Sequence, residues 1–115
     1  DTHNMSALNW AAISGSEPIT RLLMNRLHDI NSSDSQFRTS LFMAAEYGRT
    51  DVARALLEHD SVQVNKANVE KQTPLFIAAK KGRTEIVKML LAREDVYINS
   101  RDLEGRSPLW IAAYE

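Results

Sequence analysis

A pair of adjacent alanines recurs four times along the chain at a nearly constant interval. The second alanine of each pair is Ala12, Ala45, Ala79 or Ala113, and the intervals are 33, 34 and 34 residues. A leucine stands at a fixed distance before each pair, and a glycine at a fixed distance after the first three; these are Leu8, Leu41, Leu75 and Leu109, with Gly15, Gly48 and Gly82. Several markers in one phase at this period identify a repeat protein.

Each unit is predicted to contain two short helices. The first helix follows a hydroxyl residue that can cap it, namely Ser6, Thr39, Thr73 or Ser107. Pro74 and Pro108 then stand at the first helical position, where the missing N–H is not needed. The glycine after each alanine pair is expected to close this helix in the left-handed conformation.

The second helix is expected to begin at a second hydroxyl cap, followed by an acidic residue near the positive end of the helix dipole. The predicted caps are Ser16, Thr50 and Thr84. Apolar residues then recur at helical spacing, as in Val52, Leu56 and Leu57, which predicts one buried face.

Two segments resemble ankyrin repeats. Residues 102–113 read Asp-Leu-Glu-Gly-Arg-Ser-Pro-Leu-Trp-Ile-Ala-Ala, and residues 72–91 begin Gln-Thr-Pro-Leu-Phe-Ile-Ala-Ala and end Lys-Met-Leu-Leu. The resemblance covers the chain as one ankyrin repeat domain, 1–115, with three units of about 1–33, 34–67 and 68–101 and a partial fourth at 102–115. It implies an all-α solenoid, in which antiparallel helix pairs stack and short β-hairpins or loops connect them.

The sequence departs from the family pattern at two positions. The usual histidine after leucine is replaced by Asn9, Phe42, Phe76 or Trp110, so we expect its hydrogen bond to the turn to be absent. The hairpin glycine is replaced by Asn4, Phe37 and Lys71, and is kept only as Gly105. Because Phe and Lys rarely adopt a positive φ, we expect those turns to be less ideal or of another type.

Neither end of the chain carries the polar cap that a soluble repeat array needs. The first unit presents Leu8, Trp10 and Ile13, and the fourth stops before its second helix. We therefore expect the 115 residues to be an excerpt of a longer array, which is monomeric as an array.

Composition excludes several classes of protein. Fourteen basic and fifteen acidic residues give a formal charge of −1, which does not favour a nucleic-acid or membrane-surface binder. Cysteine is absent, so disulfides and thiol chemistry are excluded and a reducing compartment is favoured. No charged segment followed by an apolar stretch opens the chain as in a signal peptide. Since the family is mostly intracellular, a cytoplasmic or nuclear location is expected.

No arrangement of residues indicates catalysis. The three histidines, His3, His28 and His59, lack metal-binding spacing, and the glycines are isolated at the repeat interval rather than grouped in a phosphate loop. His28 and His59 are expected to be solvated histidines near the ends of second helices. We therefore predict a protein that is not an enzyme and needs no cofactor.

A recurrent asparagine ends the alternating stretch after each second helix, at Asn31, Asn65 and Asn99. The resemblance assigns its amide to holding the hairpin backbone together. In the family this asparagine is also a site of hydroxylation by an asparaginyl hydroxylase, but the structural role is favoured here.

Positions that the scaffold does not dictate are free to specify a partner. In ankyrin-like units these are the hairpin tip and the end of the first helix, which line the concave face. The residues predicted to contact a partner are Arg38, Glu46, Tyr47, Glu70, Gln72, Lys80, Lys81 and Arg106. The segment 68–101 carries seven basic and four acidic residues, which favours a protein partner with an acidic segment.

Two functions are compatible with this surface. The first is a recognition module whose concave face and hairpin tips grip a partner protein or peptide. The second is a structural spacer, or an intramolecular docking segment, within a larger multidomain signalling protein or enzyme.

Overall fold

The computed structural model describes residues 5–26 and 29–114, and these form seven α-helices. They are α1 (Ala7–Ser14), α2 (Glu17–Arg26), α3 (Ser40–Tyr47), α4 (Thr50–Leu57), α5 (Pro74–Lys80), α6 (Thr84–Leu91) and α7 (Pro108–Tyr114). Within the described ranges the only β pairing is an isolated antiparallel bridge between Ser33 and Thr39. The prediction of an all-α solenoid is confirmed, and its connections are turns rather than extended hairpins.

The helices form two rows. The first helices of the repeats, α1, α3, α5 and α7, pack side by side in chain order. The second helices, α2, α4 and α6, form the other row. Each packs against its own first helix, and α4 packs against both α2 and α6. None of the helices in the described ranges has the length and apolar character needed to cross a bilayer.

The core lies between the rows and is fullest in the second repeat, where Leu41, Phe42 and Met43 are completely buried. The alanine pairs are buried at Ala44 and Ala45 because a methyl group lets neighbouring helices approach closely. Scarce aromatics are therefore compatible with a close-packed interior.

The predicted caps of the first helices are confirmed. Thr39 Oγ1 accepts a hydrogen bond from Phe42 N at 3.1 Å, and Thr73 Oγ1 accepts one from Phe76 N at 3.2 Å. Ser6 and Ser107 do the same, while the closing glycines Gly15, Gly48 and Gly82 have φ values of 81°, 71° and 72°.

Asn9 corrects the expectation that the histidine's hydrogen bond is lost. Its Oδ1 accepts from Ser6 N at 3.1 Å, which completes a capping box, and its Nδ2 donates to Ser40 Oγ at 2.9 Å. Asparagine is short and polar enough to bond its own helix start, whereas Phe42 and Phe76 bury their rings at this position.

The predicted caps of the second helices are wrong at two sites out of three. Thr50 and Thr84 are the first residues of α4 and α6, and the capping positions belong to Arg49 and Arg83, whose side chains make no capping bond. Each helix begins within two residues of the left-handed glycine, because Thr50 N already donates to Gly48 O at 3.0 Å. Ser16 does cap, with a long bond of 3.4 Å from Ile19 N.

These arginines instead join successive repeats. Arg49 Nε donates to Ile13 O at 2.8 Å, and Arg83 Nη2 donates to Glu46 O at 3.0 Å. Each arginine satisfies a carbonyl at the end of the preceding repeat's first helix. A Cβ on Gly48 would lie 3.0 Å from Arg83, so this glycine provides both a left-handed φ and room for the arginine.

The recurrent asparagines also act across repeat boundaries. Asn31 Nδ2 donates to Ser61 O at 2.9 Å, and its Oδ1 accepts from Gln63 N at 2.7 Å. Asn65 makes the same two bonds to Asp95 O and Tyr97 N, at 2.8 and 2.7 Å. The amides therefore hold the loop of the following repeat rather than their own hairpin. Asn99 occupies the same position in the third repeat and is exposed.

Candidate functional site

Three turns project from the stack, at residues 34–38, 68–72 and 102–106, and they share one hydrogen-bond pattern. In each, the first residue's N–H donates to the fifth residue's carbonyl at 3.0–3.1 Å. The first side chain, from Asp34, Asn68 or Asp102, accepts through Oδ1 from the N–H groups of the third and fifth residues at 2.8–3.0 Å. The Asp or Asn side chain therefore sets the path of the turn.

The fourth residue of every turn is left-handed, with φ of 62° at Phe37, 61° at Lys71 and 77° at Gly105. The expectation that Phe37 and Lys71 would select another turn type is therefore wrong. The Oδ1 bonds impose the same backbone whatever residue follows. The left-handed conformation costs a non-glycine residue about 1–2 kcal/mol, so the two turns carry strain that Gly105 does not.

The fifth residue secures each turn through its side chain. Arg38 Nη2 lies 2.8 Å from Asp34 Oδ2, and Arg106 Nη2 lies 2.7 Å from Asp102 Oδ2. In the middle turn, Asn68 Nδ2 donates to Gln72 Oε1 at 3.1 Å, and Gln72 is only 6% exposed. Three of the predicted contact residues, Arg38, Gln72 and Arg106, therefore hold the turns from which the surface projects.

The ion pairs shift proton affinities. Burial raises the pKa of the Asp102 carboxyl, but hydrogen bonds from the Arg106 side chain and from backbone N–H groups outweigh it, so the pKa is lowered overall. Burial lowers the pKa of the Arg38 guanidinium, and the Asp34 carboxylate more than reverses this, so the pKa is raised. Both shifts favour the charged pair.

Neighbouring turns are joined at their tips. Val69 N donates to Gln36 O, and Leu103 N donates to Glu70 O, each at 3.0 Å. Glu70 is exposed on this edge, and no Lys, Arg or His nitrogen of the described residues lies within 4.0 Å of its carboxylate. The three tips therefore form one continuous edge of the molecule.

The ends of the first helices differ in charge between repeats. In the second repeat, Glu46 Oε1 lies 3.6 Å from Arg38 Nη1, and exposed Tyr47 follows it. In the third repeat, Lys80 and Lys81 occupy these positions, and neither ammonium group has a carboxylate of the described residues within 4.0 Å. Glu46 thus shares the Arg38 guanidinium with Asp34, whereas in the described ranges Lys80 and Lys81 have no carboxylate beside them.

An open cleft of about 500 Å³ adjoins the two lysines. Lys80, Lys81 and Lys88 contribute its charged lining, and Ala79 and Val87 contribute apolar surface. Lys88 alone of the three pairs with a carboxylate, at 3.7 Å from Glu85. The cleft therefore favours a negatively charged occupant.

The histidines form no catalytic group in the described ranges. His59 is exposed after α4, with Nδ1 2.9 Å from Ser61 Oγ. His3 and His28 lie outside the described residues. Residues 5–26 and 29–114 contain no cluster of three or more His, Cys, Asp or Glu side chains that could hold a metal ion.

Sequence reasoning assigned Phe37 only a turn defect and did not select it as a contact. The structure exposes its ring at the tip of the turn. A bulky apolar residue at a position that favours glycine is the sequence signal that could have identified it.

The comparison with known families agrees with the repeat pattern. Residues 41–91, from the start of the second repeat's first helix to the end of α6, match a family model described as ankyrin repeats (many copies). No curated protein matches the sequence.

Proposed function

Residues 41–91 are ankyrin repeats, whose family generally mediates protein–protein interactions, and from this premise we propose that the chain is a non-catalytic recognition module. It binds a partner protein or peptide through its concave face and the tips of its turns. The whole of 1–115 acts as one domain, with units of about 1–33, 34–67 and 68–101 and a partial fourth at 102–115.

The observation that carries this proposal is the uncompensated charge of Lys80 and Lys81. Repeat packing does not explain these lysines, since the second repeat builds the same helix end with Glu46 and Tyr47. Lysine charges without a carboxylate beside them attract a partner with an acidic segment, through long-range steering and direct pairing.

The surface then divides by role. Glu46, Tyr47, Glu70, Lys80 and Lys81 contact the partner, and Arg38, Gln72 and Arg106 hold the turns that present it. The array works as a monomer in the cytoplasm or nucleus, without a cofactor, nucleic acid or membrane. Asn99 is the asparagine most open to hydroxylation, because Asn31 and Asn65 are bonded to the next loop.

A structural spacer is the second candidate, and the exposed apolar residues at both ends of the stack favour it. Trp10 and Ile19 are exposed in the first repeat, and Leu91 and Leu109 near the last, where Leu109 is 73% exposed. Such surfaces suit docking against other domains of a larger signalling protein or enzyme.

Selection from a displayed library of random 12-residue peptides on the 115-residue chain tests the recognition module. Enriched peptides should be acidic, and their affinity should fall with salt because the attraction is electrostatic. Lys80→Glu with Tyr47→Ala should abolish binding without changing the melting temperature. Arg26→Glu, a reversal of an exposed base on α2, is the matched control and should bind normally.

Equal binding by the double variant and the wild type would reject this face as the recognition surface. Failure to enrich any peptide would favour the structural spacer. A spacer also predicts that Lys80→Glu with Tyr47→Ala leaves the function of the protein unchanged.

A further inference from the structure

Three large apolar side chains are exposed on the turns: Phe37, Val69 and Leu103, at 56%, 49% and 63%. Phe37 is the fourth residue of its turn, and Val69 and Leu103 are the second residues of theirs. We name them the tip ridge. The backbone bonds from Val69 N to Gln36 O and from Leu103 N to Glu70 O place successive members on adjoining turns. Exposed apolar groups arranged contiguously, rather than scattered, mark interaction surfaces.

The backbone conformation and hydrogen bonds of the turn do not require the Phe37 ring. The same turn position holds lysine in the next repeat and glycine in the last, and the same hydrogen bonds form around all three. Glycine would relieve the left-handed strain at φ 62°, so the scaffold alone favours its replacement. A strained residue whose ring is offered to solvent points to selection for contact.

Charge around the ridge limits what can cover it. Lys80 and Lys81 lie at the far end of α5, and in the described ranges neither lysine has a carboxylate within 4.0 Å. The seven residues of α5 alone span about 10 Å between the base of the turn and Lys80. An extended chain needs about three residues to cross that helix, so at least three residues separate a group at the tip from one at the lysines.

Resting on the proposed function, we propose that the tip ridge is the apolar subsite of the same partner-binding face. Its occupant is an extended peptide segment with a bulky apolar side chain that covers Phe37 and Val69. Acidic residues stand at least three positions away in that segment and reach Lys80 and Lys81. Phe37 is thus a specificity-determining residue that the scaffold keeps at the cost of strain.

The test uses the random 12-residue peptide library selected on the full 115-residue chain. The enriched consensus should hold a bulky apolar residue at least three positions from its acidic residues. A synthetic consensus peptide is then titrated by fluorescence anisotropy against wild type, Phe37→Gly, Phe37→Ala and Lys80→Glu. Lys71→Gly is the matched control, because it relieves the same strain in the neighbouring turn.

Phe37→Gly should weaken binding about tenfold, as expected for loss of an aromatic anchor, while its melting temperature is unchanged or raised. Phe37→Ala should weaken binding similarly and keep the strained turn. Lys71→Gly should melt at the same or a higher temperature and retain peptide binding within about threefold, since it removes no apolar contact.

The outcomes separate this proposal from the proposed function. An acidic consensus without an apolar position, or equal binding by wild type and Phe37→Gly, would overturn the ridge and leave the recognition module standing. No enrichment at all would overturn both. Self-association in sedimentation that Phe37→Gly abolishes would also overturn it, by making a second copy the occupant of the ridge.

Discussion

The second and third repeats use the same backbone hydrogen bonds with different side chains. The turn at 34–38 is held by the Asp34–Arg38 ion pair, and the turn at 68–72 by a neutral amide bond between Asn68 and Gln72. At the end of the first helix, the equivalent position holds Glu46 in the second repeat and Lys80 in the third.

The difference teaches that the repeat constrains geometry more strongly than chemistry. A turn needs an oxygen that accepts two N–H bonds, and either a carboxylate or an amide supplies it. Charge is therefore free to vary between repeats, and it varies on the face where we propose that the partner binds.

The largest effect should come from breaking the charged turn. Asp34→Ala removes two bonds to backbone N–H groups and also the fully buried carboxylate that lies 2.8 Å from Arg38, which leaves the guanidinium only Glu46 at 3.6 Å. We expect a loss of about 3 kcal/mol in the free energy of unfolding, measured by urea denaturation. Asn68→Ala breaks the same backbone bonds without breaking an ion pair and should cost about 1–2 kcal/mol. Equal losses would show that the ion pair adds nothing.

The closing glycines give the next comparison. Gly48→Ala introduces a Cβ at φ 71° and 3.0 Å from Arg83, which must move and weaken its bond to Glu46 O. Gly82→Ala has the same backbone strain, but no atom lies within 4 Å of the new Cβ. We expect losses of about 2 and about 1 kcal/mol, respectively, in urea denaturation. A smaller loss at Gly48 than at Gly82 would contradict the role given to Arg83.

The third turn, at 102–106, can be converted by Asp102→Asn to the neutral chemistry of the middle turn, at 68–72. Because the pKa of Asp102 is lowered in the folded state, its charge stabilises the fold above the unfolded value of about 3.9. That contribution is lost as pH falls through the folded pKa. The variant should be about 1 kcal/mol less stable than wild type at pH 7, and the difference should begin to shrink as pH falls below about 4 and close below the folded pKa. A difference that does not shrink at all as pH falls would assign the effect to packing instead of charge.

The caps Thr39 and Thr73 and the helix-initiating Pro74 were predictable because each depends on residues within one helical turn, and the period was predictable because the same residues recur along the chain. The cap was wrongly assigned to Thr50 because the sequence pattern allows the helix to begin at either Thr50 or Asp51. The structure begins α4 at Thr50, so the capping position is Arg49. The asparagine contacts could not be derived in full, since Asn31 bonds Gln63 in the following repeat and the partner depends on how repeats stack.

The candidate site was predictable only in part, for a similar reason. Lys80 and Lys81 were recognisable as a basic pair, but the sequence does not show whether a carboxylate on a neighbouring turn pairs with them. Arg38 resembled a free contact until its distance of 2.8 Å to Asp34 was known. Phe37 was not predicted as a contact because phenylalanine rarely adopts a positive φ. The Asp34 side chain imposes that conformation through its hydrogen bonds to the turn.

Giving the end of α5 the charge found at the end of α3 should have the smallest effect on the free energy of unfolding and the largest effect on peptide binding. Lys80→Glu places the second repeat's residue in the third repeat, whose turn carries Gln72 at the position of Arg38, so the new carboxylate lacks the ion pair that Arg38 gives Glu46. The side chain is partly exposed, so the free energy of unfolding should change by less than about 0.5 kcal/mol in urea. Adding Gln72→Arg supplies the missing guanidinium and should recover that small loss without restoring affinity for acidic peptides. If affinity returned with Gln72→Arg, net charge at the turn, rather than the position of Lys80, would determine binding.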